Sequence, residues 1–245
     1  MSHQYIRASV ILLFTLNFGS VFADEERRFD GDQAMSLMYG GTVVRNEALR
    51  SYFQGQDNGY VAIAYENSYV EQGQRKRVVV FRITPKPADE YVCHACAPVI
   101  GVGLFTLSGH EWAAESKAQL IGFGNALGEK FSLVEIGPDK HGILDVIADS
   151  HQGYEDKSIR LIVPYQGVYR AALEVGFIEK PGPAACENVT LPEQSAGISF
   201  LQTKDNFFDV VAKLEFNEGS CESFLARSQA KRYRFRDGVY GELSQ

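Results

Sequence analysis

Residues 99–107 form an almost unbroken apolar run directly behind the only close cysteine pair of the chain, Cys93 and Cys96. The run is rich in β-branched residues and reads as a buried strand. Gly101 and Gly103 inside it predict a close backbone approach or a bulge. A chain built around such a strand needs neighbours to cover it, and the rest of the sequence supplies them at a period of two.

Residues 60–66 and 77–84 alternate β-branched or aromatic with polar side chains, and Gly73 lies in the polar stretch between them. Pro85 and Pro87 then break the pattern. Residues 111–121 read as a further strand, with Trp112 as a core anchor. Residues 131–136 and 142–148 read as neighbouring strands joined by a turn over 137–141. Strands at 159–164 and 168–177 follow, divided by Gln166 and Gly167, so a meander is expected over 130–178. Beyond a proline-rich linker at 180–185, strands are expected at 197–201, 208–216 and 231–235. Asp237-Gly238 is a hairpin turn signal, with 239–243 returning. Near the N-terminus, Asp30 and Asp32 precede an expected helix at 33–39, stopped by Gly40 and Gly41. Residues 46–53 read as a second short helix, or 42–54 as irregular. A weak internal echo aligns Gly101, Trp112 and Lys117 with Gly197, Phe208 and Lys213 at an offset of 96.

The expected fold is therefore mainly β: an antiparallel meander forming a sandwich or barrel-like body, with one or two short N-terminal helices. The expected organisation is a signal peptide at 1–23 and an N-terminal stretch of short helices or irregular chain at 24–57. A main antiparallel domain follows at 58–180, and a C-terminal β segment at 181–245 packs on it, being too short for an ample core of its own.

Arg7, an apolar stretch over 8–22 and the small residue Ala23 before acidic Asp24 give residues 1–23 the form of a cleaved export leader, too short to span a bilayer. A periplasmic or secreted location follows, with no transmembrane anchor after cleavage. The chain holds 31 acidic residues against 24 basic ones, net −7, which disfavours nucleic acid and anionic lipid as partners. The basic cluster Lys231, Arg232, Arg234 and Arg236 alternates with Tyr233 and Phe235, as the solvent face of a half-buried strand does.

Four cysteines in an exported chain favour disulfides. Three pairings are possible, and Cys93–Cys96 with Cys186–Cys221 is preferred. Loop closure gives about 2 kcal/mol for the short ring and nearly, at about 4 kcal/mol, twice that for the long one. Cys93 and Cys96 are also the only candidates for thiol–disulfide exchange. The glycines and β-branched residues after Cys96 make a poor helix to activate a thiol. Haem attachment would need a histidine after Cys96, where Ala97 stands. Cys93, His94 and Cys96 lack the second ligand pair of a structural zinc site. The glycine-rich 122–128 loop is followed by Glu129 and Lys130, not by the Lys-Ser/Thr of a phosphate loop. No GxSxG or HExxH pattern is present. No cofactor, metal site or catalytic residue is implied.

The motif Cys93-His94-Ala95-Cys96-Ala97-Pro98, with Gly137-Pro138-Asp139, Gln152-Gly153-Tyr154 and the aromatic hairpin from Tyr233 to Tyr240, resembles exported bacterial β-rich proteins of unassigned function. That resemblance implies no site residues. The expected function is that of an exported, non-catalytic β-rich binding or envelope-accessory protein whose partner is a protein or small ligand. The alternative is a periplasmic thiol–disulfide oxidoreductase using Cys93 and Cys96.

Overall fold

The computed structural model describes Phe29 and residues 31–39, 43–44, 52–53, 59–85, 99–109, 111–121, 130–151, 154–179, 195–220 and 223–244. Residues 1–30 separate as a unit of their own, in which Phe29 is the described residue; residues 31–245 form the second unit. The expected first helix is present as α1 (Gly31–Tyr39). Of the second short helix expected over 46–53, or the irregular stretch over 42–54, the described residues are corrected to strand. β1 (Val43–Val44) pairs antiparallel with β2 (Tyr52–Phe53), and residues 45–51 lie outside the described residues. Valine and aromatic side chains suit an extended ribbon better than a helix, because branching near the backbone restricts their helical rotamers.

The body of the second unit is three antiparallel meanders of four strands each. The first holds β3 (Gly59–Glu71), β4 (Gln74–Pro85), β5 (Val99–Ser108) and β6 (Glu111–Ile121). The second holds β7 (Lys130–Gly137), β8 (Lys140–His151), β9 (Tyr154–Tyr165) and β10 (Val168–Glu179). The third holds β11 (Ser195–Leu201), β12 (Asp209–Ser220), β13 (Ser223–Arg236) and β14 (Val239–Glu242). The mainly β expectation holds, as does the expected meander over 130–178. The echo at an offset of 96 aligns the last two strands of one sheet with the first two of another. Its registers also differ, since Gly101 pairs with Gln119 but Gly197 with Lys213. What recurs is the whole four-stranded meander.

Three of the hairpins turn on two residues that both have positive φ: Gln72 and Gly73, Gln166 and Gly167, Asp237 and Gly238. That is the type I′ turn, whose twist matches the right-handed twist of the strands it joins. Glycine at the second position carries the left-handed backbone without a Cβ clash.

Packing of the sheets follows from the parity of their side chains. Val78, Val80, Ile100, Val102 and Leu104 of the first sheet meet Ile143, Ile162 and Tyr169 of the second. Ile136, Leu161, Val163, Leu173 and Val175 of the second sheet meet Val210, Ala212, Leu214, Tyr233 and Tyr240 of the third. The second sheet is thus the middle layer, covered on both faces, and consecutive residues Leu161, Ile162 and Val163 are all fully buried. This is why its strands read as near-continuous apolar runs. A bulge between Ala171 and Leu173 lets β10 send Tyr169 into the first core and Leu173 into the second, although both are odd-numbered. The first two sheets also meet along both margins, β3 beside β7 and β6 beside β10.

On the outer face of the first sheet, α1 lies against β5 and β6. The Phe105 ring folds over Gly103, 2.8 Å from where a Cβ would stand, with Met38 Sδ at 3.4 Å. The close approach expected at Gly103 is present, and its cause is an aromatic ring laid along its own strand.

All the hairpin tips described above lie at one end of the stack. Alternating strands put the β3–β4 and β5–β6 turns of the first sheet together, and likewise in the other two. Across sheets, the Tyr69 ring lies 4.4 Å from that of His141, and Phe208 N donates to Ile136 O at 2.7 Å. A Cβ at Gly238 would stand 2.8 Å from Arg170 Nη1 and 3.0 Å from Tyr165 Cδ1. A Cβ at Gly137 would collide with the backbone oxygen of Asn206, which is no flexible side-chain end. Gly137→Ala is therefore expected to cost about 1–3 kcal/mol through overpacking, read as a lowered denaturant midpoint with an unchanged slope. An unaltered midpoint would show that the β11–β12 loop does not rest on the end of β7.

Candidate functional site

The seam between the first and second sheets carries a polar network at the tip end. Tyr69 on β3, Lys76 on β4 and Thr106 on β5 stand in one cross-strand row. The bulge between Leu104 and Phe105 turns Glu115 of β6 toward that row. Lys76 Nζ is buried and donates to Glu71 Oε2 at 2.6 Å and to Glu115 Oε1 at 3.1 Å. Thr106 Oγ1 hydrogen-bonds the other oxygen of Glu115. From the second sheet, His141 Nδ1 stands 3.7 Å from Glu71 Oε1, and the Tyr169 and Tyr69 hydroxyls share a hydrogen bond. Nearby, Leu133 N donates to Tyr65 Oη across the same seam at 2.9 Å.

The electrostatics of this network are those of a brace. Burial pulls the Lys76 ammonium down, but hydrogen bonds and charge from Glu71 and Glu115 outweigh it and hold it above its usual range. Burial, then the charge of Glu71, raises the Tyr69 phenol. Burial, then Tyr69, raises Tyr169 well above its usual value. Both tyrosines are thus neutral hydrogen-bonding groups, and the one ammonium is shared by two carboxylates. The arrangement joins four strands of one sheet to two of the next.

The same seam ends in a buried ion pair farther along β8. Asp145 and Arg160 stand directly opposite each other on β8 and β9. Their side chains are 0% and 3% exposed. Arg160 Nε and Nη2 both reach Asp145 Oδ2, at 3.0 Å and 2.5 Å. Burial pushes the Asp145 carboxyl up, and Arg160, with Arg82 behind it, pulls it only part of the way back. One stretch of apolar core thus lies between two charged clusters.

A third cluster sits on the outer face of the third sheet. Asp209, at the start of β12, is buried beneath Arg232 and Arg234 of β13. A hydrogen bond from Arg234, opposed by burial and joined by Arg232, keeps its carboxyl below the usual range. The alternation expected over 231–236 is observed, with Tyr233 inward and Arg232 and Arg236 exposed.

Cys93, Cys96, Cys186 and Cys221 lie outside the described residues, as do the 122–128 loop, the 180–185 linker and His94. They belong to connections between β4 and β5, β6 and β7, β10 and β11, and β12 and β13. Among the described residues no three His, Cys, Asp or Glu side chains are grouped to hold a metal ion, and no helix is long and apolar enough to cross a membrane. The Tyr69–Glu71–Lys76–Glu115–His141–Tyr169 network has no motif spacing, and His141 reads in sequence as an isolated histidine. The one local signal for it is a pair of opposite charges, Glu71 and Lys76, flanking the Gln72-Gly73 turn. Comparison with protein-family models, curated proteins and solved structures finds no match to this chain.

Proposed function

We propose that this chain is an exported binding or envelope-accessory protein that works without catalysis, with a protein or a small ligand as its partner. The observation that carries this reading is the gathering at one end of two hairpin tips from each of the three stacked sheets. The large apolar side chains exposed among the described residues, Val70, Val168, Leu201 and Val239, all flank those tips. Rigid β scaffolds that present loops at one end commonly act through them. The internal charges support the same reading, because Glu71 and Glu115 share Lys76, and Asp145 is held by Arg160. The leader-like residues 1–23 support export.

The test uses the purified chain from residue 24. Val168→Asp and Val239→Asp, both at exposed positions, are expected to change stability by no more than about 0.5 kcal/mol. They are expected to abolish saturable thermal shifts produced by members of a panel of soluble envelope proteins and glycans. Specific turnover in a broad activity screen would overturn the non-catalytic reading. Reduction of insulin disulfides that disappears in Cys93→Ser would replace it with thiol–disulfide exchange.

A further inference from the structure

On the outer face of the third sheet, Asp209 stands opposite Leu201 and Arg234 opposite Gly241, just beyond the Val210–Tyr233 pair of β12 and β13. Asp209 Oδ2 accepts from Arg232 Nε at 2.8 Å and lies 2.6 Å from Arg232 Nη2. Arg234 donates through Nε to Oδ1 and through Nη2 to Oδ2, both at 3.0 Å. The carboxylate is 1% exposed, while the Arg232 and Arg234 side chains are 48% and 35% exposed. One anion therefore fixes two guanidiniums and neutralises one of them. The Nη1 group of each is left out of these bonds. Among the described residues nothing stands within 4 Å of a Cβ built at Gly241, so none of them roofs the pair there. Arg236 follows on the same face, and Asp205 is the acidic group whose charge reaches Arg234.

A lone surface arginine gives up side-chain entropy when it binds an anion, and its planar fork loses less of it when already held in place. Here that ordering is done in advance by an acid that is itself hidden from the ligand. General electrostatics does not account for anion binding on this chain, whose net charge is −7.

We propose that Arg232, Asp209 and Arg234 form an oxyanion-binding fork, in which the two Nη1 groups receive one phosphate or carboxylate group of a larger ligand lying on the third sheet. Arg232 and Arg234 make the contact, and Asp209 is the positioning residue. The fork does not depend on the hairpin tips being a contact surface, and its test uses none of their residues.

The experiment follows the side-chain Nε–Hε resonances of Arg232 and Arg234 in the full chain from residue 24. Sodium phosphate and sodium acetate are titrated separately, with sodium chloride at matched ionic strength as the reference. Saturable shifts with phosphate or acetate, absent with chloride, are expected; which salt acts tells a phosphate-bearing from a carboxylate-bearing ligand. Arg232→Lys and Arg234→Lys keep the charge but lose the fork, and each is expected to weaken binding about tenfold. Asp209→Asn removes a negative charge, so a plain basic patch would bind more tightly, whereas the fork binds less tightly. If Asp209→Asn does not fold, as circular dichroism will report, the two lysine variants decide. Unsaturable shifts equal to those in chloride, full affinity in the lysine variants, or tighter binding in Asp209→Asn would overturn the proposal.

Discussion

Asp145→Ala is expected to destabilise the protein by about 3–5 kcal/mol, because it breaks a buried pair by removing the carboxylate oxygen that both Arg160 Nε and Nη2 reach. Arg160 is 3% exposed at its side chain, so water does not reach it to replace the lost carboxylate. The double variant Asp145→Leu with Arg160→Met is expected to recover most of that loss, since a buried pair replaced by apolar groups of similar volume is often neutral or stabilising. Urea denaturation of the wild type, the single and the double variant measures both. A single variant within about 1 kcal/mol of wild type would mean that Arg160 is not buried in solution. The pair also has a pH signature. The folded Asp145 carboxyl titrates above its unfolded value, chiefly through burial. The native state then binds the proton more tightly than the unfolded chain does. Wild-type stability relative to the double variant therefore falls as pH rises from the ordinary carboxylate range through the raised Asp145 value, and is level above it. A relative stability that rises over that interval would show that the Arg160 charge outweighs burial.

Leu161→Ala and Ile162→Ala are each expected to cost about 2–5 kcal/mol, the range for emptying a fully buried aliphatic site. The two residues are neighbours in β9, yet Leu161 packs with the third sheet and Ile162 with the first. Their cavities open in different layers, so the double variant is expected to lose about the sum of the two, with a coupling below the roughly 0.5–3 kcal/mol of contacting pairs. Chemical denaturation of the three variants tests this. A strong departure from additivity, or a negligible cost at either position, would be incompatible with a middle sheet covered on both faces.

Much of the secondary structure is legible in the sequence because it is set locally. Period-two alternation gives the strands, and glycine at the second place of a tight turn gives the hairpins at Gln166 and Asp237. Residues 46–53 mislead because Tyr52 and Phe53 are apolar at a spacing that a short helix also tolerates. Their pairing with Val44 and Val43 leaves two strands of two residues each, too short to show a period of two. The stacking of the sheets is also less legible. Which way Leu173 faces depends on one extra residue at Ala172, and a bulge shifts parity without altering composition. The polar seam is hidden further still. Tyr69 and Tyr169 come together only because two meanders lie face to face. The Arg232–Asp209–Arg234 cluster was half visible as alternating basic residues, but Asp209 is supplied by the preceding strand, beyond the reach of any motif.

A layer that is oily on both sides has a consequence for how the chain is made. While residues 195–244 are still unsynthesised, the surface of the 130–179 meander that the third sheet covers has nothing to rest against. A nascent or truncated chain ending there exposes the row from Ile136 through Leu161 to Val175 to whatever is nearby, and the nearest such surface is the same row on another molecule. Until the last strands arrive, that uncovered surface is the place where incomplete chains are prone to associate.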